Sequence, residues 1–252
     1  DSLGGTIVAE TPAPQFAAPG LGSLVKGQAG AFYRSNGNAR GGNVTATIAT
    51  ENLNVTYSGA LSQSDNYTAG GNFRTTTATG RPGHTLSRDE VGSTAYKTAN
   101  HTLGVAVKHA NHLVEAKLGY QDMPYQLYPN QRMDMLENTQ HRLNLRYLGQ
   151  FDWGGLEARA YHEKVDHFMD FGADKRYWYG SNSGAGSPCA PIRFMGDPAG
   201  TCAGGMPMYS ASTTTGVTVK ADINLGERYL LRVGSELQRY RLDDWWPASG
   251  GG

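Results

Sequence analysis

The chain has 252 residues, a formal net charge of +0 and 38% hydrophobic residues. The balanced charge argues against a nucleic-acid partner, which needs a clustered basic surface. No run approaches the roughly 18 apolar residues of a membrane helix, a test that says nothing of a wall of strands in which only every second side chain meets lipid.

Alternation with a period of two recurs along the chain. Gly5 to Thr11 predicts a short strand, followed by a Pro- and Ala-rich linker through Gly22. Strands are expected at Leu24 to Arg34, Asn43 to Thr50 and Asn54 to Ser62, the last with Val55, Tyr57 and Leu61 on one face. Tyr67 to about Gly92 is rich in Gly, Thr and charge and reads as a long loop. Thr94 to Lys108 and Leu113 to Asp122 form a hairpin about Asn111 and His112, and Gln140 to Gln150 follows after an intermediate connection. Leu156 to Phe171 is the longest predicted strand, roughly sixteen residues against about five or six for an ordinary one. A second long loop, Gly180 to Met206, precedes a last hairpin of Tyr209 to Ile223 and Tyr229 to Leu242.

Connections thus alternate between short turns, at Asn52, Asn111, Trp153 and Gly226, and longer loops. One face of the strands is apolar. The other carries Arg142, Asn144, Arg146, Glu157, Arg159, Arg232, Glu236 and Gln238. A soluble sandwich packs an apolar inner face with shorter strands. Long two-faced strands with a wet second face predict an all-β fold, an antiparallel transmembrane β-barrel. About nine wall strands are visible where closed barrels have an even number, so a segment of a larger protein is expected.

Two groups of residues carry a resemblance. Asp1-Ser2-Leu3-Gly4-Gly5-Thr6-Ile7 resembles the end of the plug domain of TonB-dependent outer-membrane receptors, where a Gly-Gly-x-Ile segment precedes the first barrel strand. Met123-Pro124-Tyr125-Gln126, Arg132-Met133-Asp134-Met135, His141 to Tyr147, Ala160-Tyr161-His162-Glu163-Lys164, His167-Phe168-Met169, Gly205-Met206-Pro207-Met208 and Leu237 to Trp246 resemble the copper-receptor branch of that family. The resemblance implies three regions: residues 1–12 as the end of the plug, 13–23 as a linker and 24–252 as the first part of the barrel. It implies a Gram-negative outer membrane, copper as the transported ion, no enzymatic cofactor, and the TonB energy-transducing complex as a partner touching a segment upstream. Alternatives are the same receptor class with another cargo, such as a ferric siderophore, and a passive porin or structural barrel. No nucleophile–base constellation is present and no enzyme activity is expected.

The resemblance places copper between plug and wall, held by a Cys-x-x-x-Met element of the plug, a His-x-Met element of the wall and a further wall methionine. His167 and Met169 match His-x-Met, and thioether with imidazole suits Cu(I), imidazole also Cu(II). The motif points to Met133 or Met135 as the further ligand. Parity counted from Leu143 turns both outward unless a bulge between Leu136 and Thr139 resets it. Parity itself favours Met123, which shares a face with Glu115, Lys117 and Gln121. Met206 and Met208 read as loop residues. Cys189 and Cys202 are expected to form a disulfide in an oxidising envelope, contributing about 3 kcal/mol. Tyr177-Trp178-Tyr179 and Trp245-Trp246 suit an interfacial aromatic girdle.

Overall fold

The computed structural model describes residues 12–79, 83–175, 177–178, 202–203 and 207–246. The strands are β1 (Leu24–Arg34), β2 (Ala39–Ala49), β3 (Leu53–Ser64), β4 (Tyr96–His109), β5 (His112–Gln126), β6 (Asp134–Phe151), β7 (Gly154–Asp170), the two-residue β8 (Tyr177–Trp178) and β9 (Cys202–Ala203), β10 (Met208–Leu225) and β11 (Tyr229–Trp245). Nine of them form one sheet in the order β1-β2-β3-β4-β5-β6-β7-β10-β11, while β8 and β9 pair with each other. Every pairing in the large sheet is antiparallel. The nine expected wall strands are therefore present as one meander. The expected strand Gly5 to Thr11 and the Cys189 half of the expected disulfide lie outside the described residues.

Three strands run at least four residues further than alternation predicts, all at the end where the long loops lie. β2 begins at Ala39, β5 continues to Gln126 and β6 begins at Asp134. Pro124 has no N–H to offer a ladder, and β5 accommodates it with a bulge: Ala99 faces Asp122 and Lys97 faces Tyr125, so β5 carries one extra residue at Met123–Pro124. β6 carries a matching bulge, because Met135 and Glu137 face the consecutive residues Met169 and Phe168, leaving Leu136 as the extra residue.

Between the short turns and the row of His101, Tyr120 and His141, the sheet separates its side chains by face. One face presents Val55, Leu103, Val105, Val107, Val114, Leu118, Leu143, Leu145, Val217, Val219, Val233 and Leu237, all exposed. A water-soluble surface rarely leaves so large an apolar area uncovered. On β5 this apolar stretch is bounded by His112, which stacks on Tyr147 at 5.9 Å, and by Tyr120, which stacks on His101 at 6.4 Å and packs on His141 at 5.1 Å. The eight steps from His112 to Tyr120 rise about 26 Å along the strand, and at the usual barrel tilt the band is roughly 20 Å tall.

The opposite face is polar and hydrogen-bonded across strands. Arg146 and Arg159 converge on Glu157, Tyr161 donates to Glu236 at 3.1 Å, and Thr47 bonds Thr56 at 2.9 Å. Near the short turns, residues 12–17 lie across this face. Asn54 Nδ2 donates to the Gln15 carbonyl at 2.6 Å, Ala17 N–H donates to the Thr50 carbonyl at 3.0 Å, and Lys108 sits over the Phe16 ring at 4.8 Å. A concavity of about 1000 Å³ opens between this segment and the polar side chains of β1 to β5.

The strands are staggered. The hydrogen-bonded row that starts at Leu53, the first residue of β3, passes through Val107, Val114, Tyr147, Ala158 and Val219 and reaches β11 at Ser235. Ser235 lies six residues beyond Tyr229, where β11 begins. The offset is one residue per strand step, the shear of a closed barrel.

Candidate metal centre

β7 carries His167 and Met169 two residues apart, so both leave the same face. The register decides which. Arg142 faces Glu163, Asn144 faces Tyr161 and Arg146 faces Arg159. Pairing with β10 is unbroken from Gly154 to Met169. His167 and Met169 therefore stand on the polar face, at its long-loop end.

The bulge at Leu136 resets the parity of β6. Glu137 falls opposite Phe168 on the apolar side, whereas Met135 falls opposite Met169 on the polar side. Met135 is buried, at 5% exposure. On the other flank, the first residue of β10 is Met208, and it faces Met169 directly. Met135, Met169 and Met208 thus form one row over three adjacent strands. One row inward, Met123, Asn138, His167 and Ser210 form another. Met133 lies just ahead of β6, half-buried and outside the row. Met208 was missed by sequence reasoning because Pro207 suggests a loop. The available signal was that Met208 sits at the register position where the last hairpin returns to the His-x-Met strand. Met206 lies outside the described residues.

A line of amides fixes the His167 ring. Asn100 Nδ2 donates to Thr98 Oγ1 at 3.0 Å, Gln121 Nε2 to Asn100 Oδ1 at 2.6 Å and Asn138 Nδ2 to Gln121 Oε1 at 3.4 Å. The remaining Asn138 oxygen meets His167 Nδ1 at 3.1 Å. A carbonyl oxygen only accepts, so Nδ1 carries the proton and Nε2 keeps its lone pair for a ligand. This is how a metal-ligating histidine is oriented from behind.

A polar knot anchors the loops around the centre. Asp134 is fully buried and takes Ser93 Oγ at 2.9 Å, the Tyr128 N–H at 2.7 Å and Lys175 Nζ at 2.7 Å. Asp174 takes the Ser93 N–H at 2.7 Å, Asn66 Nδ2 at 2.8 Å and His84 Nε2 at 2.7 Å. Burial alone would raise the Asp174 pKa. The Ser93 amide, Asn66 and His84 outweigh it and hold the carboxyl below its usual range. Tyr128 is pushed up by burial and by the Asp134 charge.

Among the described residues, no three His, Cys, Asp or Glu side chains converge as a metal site. The donor set is instead three thioethers and one imidazole, which suits a soft ion rather than magnesium, calcium or ferric iron.

The fold has known counterparts. The chain is similar to the solved structure titled "Copper transporter OprC" with a TM-score of 0.61 and 18% identity, over 90% of this chain and 30% of that one. It is similar to the FrpB iron transporter of Neisseria meningitidis, F3-3 variant, with a TM-score of 0.55 and 18% identity, over 88% of this chain and 31% of that one. The apoprotein form of the F5-1 variant gives 0.52 and 17%, over 88% and 29%. The nine strands thus have the fold of part of a transporter barrel wall, and the chain spans about a third of the length of these proteins. No family model and no curated protein sequence matches the chain.

Proposed function

We propose that the chain is part of a TonB-dependent receptor of the Gram-negative outer membrane that imports copper. The observation that carries this reading is the register that aligns Met135, Met169 and Met208 with His167 one row inward. Three sulfurs beside an imidazole of fixed tautomer form a wall site for Cu(I), or for Cu(II) through the imidazole. The apolar face meets lipid and the polar face lines the lumen. Residues 1–12 end the plug, 13–23 form the linker, and the lumenal position of residues 12–17 suits a chain that enters the wall from within. The plug supplies the remaining ligands and takes the pull of the TonB complex from an upstream segment. The role is transport, with copper as cargo and no catalysis.

The similarity to an iron transporter favours a second reading, the same receptor class with an iron-bearing cargo. Metal analysis of the full-length protein after exposure to copper and to ferric iron separates the two. Copper retained by the wild type and lost in Met169→Ala is expected. Iron retained in place of copper, or unchanged copper in the variant, overturns the assignment.

A further inference from the structure

The aromatic row that closes the apolar band on the long-loop side does not continue around the wall. It runs through His101, Tyr120 and His141 on β4 to β6, and the same hydrogen-bonded row then passes through Lys164, Thr213 and Arg241 on β7, β10 and β11. One row inward, Leu103, Leu118 and Leu143 give way to His162, Thr215 and Arg239. On β7, β10 and β11 the apolar residues thus end at Ala160, Val217 and Leu237, cations follow outward, and the stacked rings of Phe168, Tyr209 and Trp245 lie further out.

Lys164 and Arg241 stand two strands apart, about 10 Å, and Arg239 lies about 7 Å from Arg241 along the same strand. Thr213 and Thr215 fill the centre, with Thr215 Oγ1 bonded to His162 Nδ1 at 2.8 Å. Lys164 and Arg241 are 54% and 69% exposed, and each leans outward to an acid on its own strand, Asp166 at 2.9 Å and Asp243 at 3.2 Å. No ion pair among the described residues engages Arg239. A cation on the apolar side of a barrel is costly within the hydrocarbon and nearly free at the interface. Three of them lie at this edge with hydroxyl donors between, two in exposed ion pairs and Arg239 without one among the described residues, and arginine binds phosphate through paired N–H donors.

We propose that the outward face of β7, β10 and β11 binds the phosphate-bearing headgroup of an outer-leaflet glycolipid through Lys164, Arg239 and Arg241. The proposal rests on the outer-membrane reading above. The acyl chains lie over the apolar residues inward of the site, Ala160, Val217 and Leu237, which share a row. The phosphate sits between this apolar edge and the stacked rings of Phe168, Tyr209 and Trp245.

The test titrates the purified full-length protein in detergent with lipid A, and with lipid A stripped of its phosphates, counting bound lipid by native mass spectrometry. Preference for the phosphorylated form is expected, and Lys164→Gln/Arg239→Gln/Arg241→Gln weakens its binding roughly a hundredfold, about fivefold for each charge removed near the headgroups. Equal binding of the two lipids, or unchanged binding by the triple variant, overturns the proposal. So does binding that is lost with EDTA or in Asp166→Asn/Asp243→Asn but survives in the triple variant, because a divalent bridge would then hold the lipid. Heat-modifiable mobility on gels reports the folded barrel separately: its absence in the wild type defeats the outer-membrane reading, and its presence confines any failure to the headgroup site.

Discussion

Met135 lies directly opposite Met169 because β6 places one extra residue, Leu136, in a bulge. Without that residue the methionine would point to the apolar side. Deleting Leu136 is therefore expected to lower copper retention by roughly 10- to 100-fold, the usual loss when a ligand or its support is misplaced. Leu136→Ala, which keeps the bulge, leaves retention close to wild type. Metal content after dialysis measures both, and equal retention in the deletion variant would remove Met135 from the site.

The Asn138–His167 contact makes a second prediction. Asn138→Leu removes the acceptor that holds the Nδ1 proton, and copper affinity falls about 10- to 100-fold. Asn138→Asp still accepts that proton and restores binding. A competition titration against a copper chelator reads the difference. Identical affinities in all three proteins would show that the ring needs no such support.

Replacing Met135, Met169 and Met208 together with leucine conserves volume but removes the sulfur donors. Binding of Cu(I) under anaerobic conditions is expected to be lost, while weak Cu(II) binding at His167 persists. X-ray absorption on the copper-loaded wild type should show sulfur scattering that the variant lacks. Unaltered Cu(I) binding in the triple variant would exclude the methionine row.

The loop anchor responds to acid with a defined sign. Asp174 is held below its normal range in the folded protein, so its contribution is complete above the ordinary carboxylate pKa of about 3.9 and fades as pH falls through the lower folded value. Hydrogen exchange in loop 65–95 should stay slow from about pH 7 to pH 5 and quicken only in stronger acid. Asp174→Asn should quicken it already at neutral pH. Exchange no faster in Asp174→Asn than in the wild type would contradict the anchor.

Gly172 tests the same knot from the other side. A Cβ there would overlap Asp134 Oδ2. Gly172→Ala must displace the carboxylate from Ser93 or Lys175, at a cost of about 1–3 kcal/mol. Protease cleavage in the surrounding loops is expected to accelerate, with heat-modifiable mobility preserved. Cleavage at the wild-type rate would show that the knot tolerates the change.

The halves of the strands that carry the apolar band were legible and the outer halves were not. From His112 to Tyr120 an apolar face and a polar face impose a strict alternation, and the expected strands match there. Beyond Tyr120 both faces are wet, so Met123 to Gln126 and Asp134 to Thr139 show no period-two pattern although they are strands. The His-x-Met pair was found because it lies on an unbroken strand. Met135 was placed only conditionally and Met208 was read as loop, because register across strands and the position of a bulge are not encoded by the spacing of one segment.

The stagger of the wall gives the methionine row a direction. Residues joined in one hydrogen-bonded row do not share a depth, since the short-turn ends fall two residues further below the row at each successive hairpin from β3 to β11. Met208, Met169 and Met135 are therefore treads of a spiral stair rather than a collar. Each step towards β6 descends roughly 2–3 Å towards the membrane. His167 and Met123, one row further in, continue the descent. On the proposed reading, a soft ion passed from thioether to thioether along this face would lose height at every exchange, carried sideways around the wall as it goes down.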